Sequence, residues 1–310
     1  MTIGSLVSRM PPHVRIALAD VGSAGGLHGR WKPLRPLVDG LLFEPRDDTD
    51  EVRRDGHDII FPIGLGPTPG RTTLNVTALP NMSSTLEPDA ERLESYAKKH
   101  LHTRIVERIE MPVDTLDGIV QREGLSVDAI KVDTQGTELG ILEGAKGVLG
   151  GSVLIAEVEV SFFARYRDQA LMWDVVRFME SQGFELLDLY RLKRYRRRNG
   201  PGIGNMSLGG GQRAGRLAYG DAIFFPREDV IESRLAAASP EGAEAIVLKV
   251  ILGLLVYGKP DMAAHLFERF ASHVREPSRQ AVQDWFGRLG RRFRGSGVLH
   301  HAFDYLARHV

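Results

Sequence analysis

The chain of 310 residues contains no cysteine. That excludes disulfides, thiolate nucleophiles and thiolate-bound zinc, and it agrees with a reducing compartment. Neither sign of charge is in excess, because 40 Lys and Arg stand against 40 Asp and Glu. The balance gives no global pull toward nucleic acid or a membrane surface. Long apolar runs are lacking as well. The longest, from Ala245 to Tyr257, is broken by Lys249 and Gly253 and is too short to span a bilayer. Met1 to Met10 has neither the basic region nor the apolar stretch of a secretory signal. These absences leave a soluble, cytoplasmic protein as the expectation. No grouping of His, Asp and Glu has metal-ligand spacing, so no metal site is expected.

What is present is an alternation of strands and helices. Val14 to Asp20, Gly40 to Glu44 and His57 to Ile63 are short apolar runs, with a polar, helical segment expected from Asp47 to Gly56. Thr72 to Pro80 alternates as an exposed strand, Glu87 to His100 reads as a helix, and Ile105 to Met111 as a strand. Thr115 to Glu123 (helix), Ile130 to Asp133 (strand), Val153 to Val160 (strand), Gln169 to Gln182 (helix), Phe184 to Tyr190 (strand) and Ala222 to Phe225 (strand) continue the series. Strand and helix at this spacing build a mostly parallel α/β sheet. From Arg227 the pattern is helical only, with Gly258-Lys259-Pro260, Glu276-Pro277 and Gly295-Ser296-Gly297 at the joints and a last helix expected over Val298 to His309. The expected division is 1–228 for the α/β unit and 229–310 for a helical region. Val247, Val250, Ile251, Leu254 and Leu255 form an apolar stripe at helical spacing. The stripe needs a partner surface, either other tail helices or a second copy in a homodimer.

Two strand ends carry the chemistry. Asp20-Val21-Gly22-Ser23-Ala24-Gly25-Gly26 is a strand-end acid followed by a glycine turn, and Glu44 ends the next strand. Glycines let a ligand approach the backbone, and an acid at the second strand end accepts hydrogen bonds from a ribose diol. Nicotinamide or flavin dinucleotides and S-adenosylmethionine share that geometry. A pyrophosphate is disfavoured beside Asp20, whereas the amino and sulfonium groups of S-adenosylmethionine are positive, so the turn favours the methyl donor. Asp133, at the end of Ile130-Lys131-Val132, is followed by Glu138 in the first turn of the next helix. Glu157 and Glu159 share one face of an otherwise apolar strand. Burying two carboxylates there is costly unless they act in the site or pair with an arginine such as Arg165 or Arg167. His28 is a further candidate base.

Asp20-Val21-Gly22, Phe43-Glu44-Pro45, Ser83-Ser84-Thr85-Leu86, Thr115-Leu116-Asp117, Lys131-Val132-Asp133-x-Gln135-Gly136-x-Glu138 and Leu142-x-Gly144-Ala145 together resemble the FkbM family of S-adenosylmethionine-dependent methyltransferases. The resemblance spans about residues 14–226. It implies a class I methyltransferase fold, Rossmann-like, with a mostly parallel seven-stranded sheet, and O-methylation of a hydroxyl on a sugar, glycolipid, polysaccharide or related product. It implies Asp20, Gly22 and Glu44 as cofactor residues, and Gly26, Ser84 and Asp133 complete the expected cofactor set. Asp133 and Glu138 face the reaction, and Glu157 joins them as a candidate catalytic carboxylate. Ala24 departs from the glycine often found there. No acid follows the third strand at Gly64-Leu65-Gly66-Pro67, so adenine recognition falls to backbone. The basic run Arg191 to Arg198 and the glycines after it are read as a loop from Arg194 to Gly204, able to contact a phosphate-rich acceptor or RNA. The partner expected is a small-molecule or glycan acceptor. The alternatives are an RNA methyltransferase, with no aromatic RNA-binding motif to support it, or a non-catalytic scaffold on the same fold.

Overall fold

The structure, a computed structural model, describes residues 2–22, 26–45, 51–203 and 214–291. Ser23, Ala24 and Gly25 of the glycine turn, Gly204 and the helix expected over 298–309 lie outside these residues. The strands are β1 (Ile16–Val21), β2 (Val38–Phe43), β3 (Arg53–Asp55), β4 (Asp58–Phe61), β5 (Gly64–Leu65), β6 (Gly70–Thr77), β7 (Ile105–Asp114), β8 (Ala129–Val132), β9 (Ile155–Ser161), β10 (Phe184–Tyr195) and β11 (Arg216–Pro226). The main sheet has eight strands in the order β10-β11-β9-β8-β1-β2-β4-β3. Its centre, β4-β2-β1-β8-β9, is parallel. Strand β11 runs against β9 and β10.

The expectation of seven strands is corrected at the β3 edge. Arg53, Arg54 and Asp55, expected in a helix, pair antiparallel with β4 across a turn at Gly56, whose φ is +57°. Their side chains are exposed and charged, as suits an edge that must not recruit another chain. The helix expected from Glu87 to His100 is likewise split into Ala90–Glu94 and Lys99–His102. Tyr96, between them, is fully buried against Phe163 and Tyr195, and Lys98 turns left-handed at φ +60°. Burial of one aromatic ring overrides the local helical pattern. These two helices and a second sheet, β5-β7-β6, occupy the stretch between β4 and β8. The basic run also differs from expectation, since β10 continues through Arg191 to Tyr195 as strand.

Each face of the main sheet has its own core. Ala19, Val21, Ile130, Val132, Ala156 and Val158 point to one side, where they meet Ile119, Ile141, Leu142, Val175 and Met179 from the intervening helices. Leu18, Ala129, Ile155, Ile223 and Phe225 point to the other and pack with Val247, Val250, Ile251, Leu254 and Leu255 of the helix Pro240–Val256. The apolar stripe of the tail is therefore seated on the sheet. Ser239 caps this helix by accepting from the Gly242 N–H at 3.1 Å, and Pro240 begins it where a missing N–H costs nothing. At Gly253 the helix comes so close to β9 that a Cβ would lie 2.3 Å from the Ile155 Cδ1. Lys249 Nζ reaches Asp128 Oδ1 at 2.8 Å and ties the helix to the segment before β8. Among the described residues no helix is long and apolar enough to cross a membrane.

Candidate active site

The carboxyl ends of β1, β2, β8 and β9 open into a cavity of about 300 Å³, closed on its other sides by the β10–β11 hairpin and by residues 79–83, Thr85 and Lys99. Ligands in parallel α/β sheets bind at this end of the strands. Gly22, Glu44 and Asp133 line the cavity at the strand ends, and Phe43, Pro45, Ile63 and Leu65 form an apolar wall beside Glu44. Gly22 N donates to Phe43 O and Asp133 N to Val21 O, both at 3.1 Å, so the three strand ends are drawn together. With φ at +81° and the Asp133 carbonyl 2.3 Å from where a Cβ would sit, position 22 accepts only glycine. Gly22→Ala is expected to cost about 1–3 kcal/mol of stability and to push Asp133 off its strand end, which thermal melting and cofactor titration would register. A variant that melts and binds like the parent would show that the contact relaxes freely.

Asp20 lies one step below the cavity and does not line it. It is 1% exposed, accepts from Lys131 Nζ at 3.2 Å and from the His28 N–H at 3.2 Å. Burial opposes the Lys131 charge, but Asp20 and Asp133 overcome it and the ammonium pKa is raised. Glu157 continues this row on β9, directly beside Lys131 in the register. Its Oε2 accepts from the Tyr257 hydroxyl at 2.7 Å and lies 3.4 Å from Arg30 Nε. The Arg30 guanidinium is 4.9 Å from the ring centre of Tyr190 and 5.0 Å from that of Tyr257. Glu157 thus binds the tail to the segment after β1 rather than facing the cavity.

Glu138 also stands behind the lining. Its carboxylate accepts from the Gly136 N–H through both oxygens at 2.9 Å and from the Thr134 N–H at 3.0 Å, clasping the loop that follows β8. Burial raises its pKa against the pull of these donors. Ser84 pairs through its backbone with Asn75 and accepts from the Leu86 N–H at 3.1 Å; its neighbours Ser83 and Thr85 line the cavity instead. Gly26 has φ +95° and open space around it, away from the lining. After the turn comes a 3₁₀ segment, Gly29–Leu37, in which Pro33 and Pro36 supply no N–H for a regular α-helix. His28 caps it, and burial together with Lys131, Arg191 and Arg30 lowers the imidazole pKa, leaving the ring neutral at pH 7.

The acids that do face the cavity are Glu44, Asp133, Glu159 and Asp221. Gln135 links two of them. Its Nε2 donates to Asp133 Oδ1 at 3.0 Å and to both Glu159 oxygens at 3.2 Å, while its Oε1 accepts from Arg165 Nη1 at 3.1 Å. Its backbone is left-handed at φ +62°, a strained setting that these bonds hold in place. Arg165, fully buried, also donates to Glu159 Oε1 at 2.6 Å, the arginine pairing expected for this strand. Burial pushes the Glu159 carboxyl up to about 8, with the charges of Asp133 and Glu138 adding and Arg165 opposing. Asp221 is raised by burial first and by Glu157 next, with Arg191 Nη1 opposing from 3.4 Å.

Gln135, Lys99, Tyr195, Tyr219 and Asp221 carried no weight as site residues in the sequence. Tyr219 and Asp221 sit two apart just before an apolar run, a faint sign of a strand face turned to a site. Lys99 gave none.

Residues 35–186 match the Methyltransferase FkbM domain. The chain carries an FkbM methyltransferase domain. The matched stretch holds Glu44, Asp133, Gln135, Glu138, Glu157 and Glu159, whereas Asp20 and Gly22 precede it and the tail helices follow it. No curated protein matches the sequence. Among solved structures, methyltransferase FkbM from Methylobacillus flagellatus KT is similar at 14% identity and a TM-score of 0.36, over 73% of this chain and 48% of that one. This chain spans about half the length of that relative.

Proposed function

We propose that this protein is an S-adenosylmethionine-dependent O-methyltransferase acting on a hydroxyl of a sugar, glycolipid, polysaccharide or related natural product. The observation that carries the reading is the meeting, in one cavity, of Gly22 with Glu44 and the Asp133–Gln135–Glu159 cluster of the FkbM domain. The residues present fit the methyl donor. Glu44 can accept from a ribose diol, and the wall of Phe43, Pro45, Ile63 and Leu65 can take an adenine ring. The negative field that disfavours a pyrophosphate comes from Glu44 and Asp133, since Lys131 offsets Asp20.

When bound, S-adenosylmethionine supplies a methyl group made electrophilic by its sulfonium. The chain's task is to hold the acceptor hydroxyl in line and to remove its proton. Glu159 suits proton removal, because a carboxyl titrating near 8 is a far stronger base than an ordinary one and still ionises near neutral pH. Asp133, held by the same Gln135 amide, orients the hydroxyl. Glu138, Arg165 and Gln135 keep the two carboxylates in place.

Calorimetry tests the cofactor half of this reading. The full chain should bind S-adenosylmethionine and S-adenosylhomocysteine but not NAD. Removing the charge-assisted bonds in Glu44→Ala should weaken binding by about 1.5–3 kcal/mol, roughly tenfold to a hundredfold. Unchanged affinity would remove Glu44 from the site. For the acceptor, transfer of labelled methyl from S-adenosylmethionine into a glycan fraction supports the reading, and label found only in RNA overturns it.

A further inference from the structure

We infer that the acceptor carries an anionic group, a carboxylate or a phosphate, seated against Lys99 and the Tyr195 hydroxyl while its reacting hydroxyl faces Asp133 and Glu159. This inference rests on the methyltransferase reading and names the class of acceptor that the same cavity selects.

The charges of the cavity are divided. Its strand-end side is lined by Glu44, Asp133, Glu159 and Asp221. From the stretch between β4 and β8 comes a single cation, Lys99, half-buried, whose Nζ lies 4.2 Å from the centre of the Tyr195 ring. Among the described residues no carboxylate approaches Lys99 to ion-pairing distance. The neighbouring buried cations are all matched, Lys131 by Asp20, Arg165 by Glu159 and Arg30 by Glu157. An ammonium withdrawn from water without a counter-charge is unfavourable, and a bound anion would relieve it. Burial, followed by the charges of Arg165 and Arg196, lowers the Lys99 pKa, which is the field a negative ligand would find attractive.

A second observation points to the same place. Tyr195 lines the cavity at 2% exposure, and among the described residues its hydroxyl finds no acceptor, having only the Arg165 guanidinium beside it. A buried phenol without an acceptor is rare in folded proteins, and an anion's oxygen would complete it. Two further cations, Arg191 and Lys193, line the cavity from β10, with Lys193 directly opposite Tyr219 on β11. Three others of the basic run are engaged elsewhere: Arg194 donates to Gly215 O, Arg197 stacks on Tyr96 and Arg198 pairs with Glu94. A neutral acceptor would leave Lys99 half-buried without a counter-charge and the Tyr195 hydroxyl without an acceptor. An anionic one satisfies both, and its charge is kept away from the strand-end acids.

The test uses the full chain and three matched probes: phenyl β-D-glucoside, phenyl β-D-glucuronide and phenyl β-D-glucoside 6-phosphate. Binding is measured by calorimetry with and without S-adenosylhomocysteine. The expected result is that at least one charged probe binds about tenfold or more tightly than the neutral one. Lys99→Met should abolish that preference and Lys99→Arg should keep it, with the melting temperature and S-adenosylhomocysteine affinity of both variants near those of the parent. Which charged probe gains tells carboxylate from phosphate. Equal binding of all three, binding of none, or a preference that survives Lys99→Met overturns the inference. Failure of S-adenosylhomocysteine to bind the parent chain would instead overturn the cofactor reading, and the probe measurements without it keep the two failures apart.

Discussion

Glu159→Gln is expected to lower kcat/KM for methyl transfer by about a hundredfold or more while S-adenosylhomocysteine affinity changes by less than about threefold. Gln keeps the shape and the acceptor oxygen that meets Arg165, but it has no basic site for the acceptor's proton. The pH profile is the sharper readout. Burial holds the Glu159 carboxyl near 8, so the parent's kcat/KM should climb with unit slope through neutrality and level off above about pH 8. The variant should lose that limb. Stability moves the other way. A carboxyl whose folded pKa is raised favours the folded state most below its ordinary value of 4.5, and this contribution is lost as pH rises through about 8. The parent should therefore soften between those limits, and Glu159→Gln should soften less. Full turnover in Glu159→Gln would pass the base to Asp133, for which Asp133→Asn, expected to lose about a hundredfold, is the companion measurement.

The second large effect concerns the tail. A chain ended after residue 227 is expected to lose cooperative folding altogether. The helix Pro240–Val256 covers Leu18, Ala129, Ile155, Ile223 and Phe225, and without it that face of the sheet meets water. Val247, Leu248, Val250, Ile251, Leu252, Leu254 and Leu255 are all buried in it. At about 1.5–3 kcal/mol for each buried aliphatic side chain, the loss of seven comes to about 10–20 kcal/mol, as large as or larger than the roughly 5–15 kcal/mol that usually separates folded from unfolded states. The truncation also removes Tyr257, leaving Glu157 and Arg30 buried without the phenol that joins them. Urea unfolding followed by circular dichroism measures this. A sharp transition in the 1–227 fragment, with the parent's midpoint, would show that the α/β unit stands alone and that the tail is an appendage.

The same contacts bear on what the tail's apolar stripe is for. Read along the chain, Val247 to Leu255 demanded a partner, and both other tail helices and a second copy were open. The sheet face supplies it. A homodimer remains a separate proposal that needs another surface.

The sequence by itself determined the alternation of the central strands with their helices, the glycine after β1, the acids at the ends of β2 and β8, and the FkbM resemblance. These depend on short-range rules: alternation of apolar residues, glycine where a Cβ has no room, and an acid or a turn where a strand stops. It also limited the β9 carboxylates to a site role or an arginine pairing, since two buried charges on one strand face need one or the other. Which carboxylate faces the ligand was decided only in three dimensions. Asp20 and Glu157 fall in the row where Lys131 and Arg30 neutralise them, whereas Asp133, Glu159 and Asp221 fall in the row above, open to the cavity. A strand pattern tells that two residues share a face, but not how far along the strand the covering helices end. Lys99, Tyr195, Tyr219 and Asp221 reach the site from segments distant in sequence, and Tyr96 breaks its helix to fill a core that no local window contains. Their roles come from chain segments meeting in space, so only the tertiary structure could assign them.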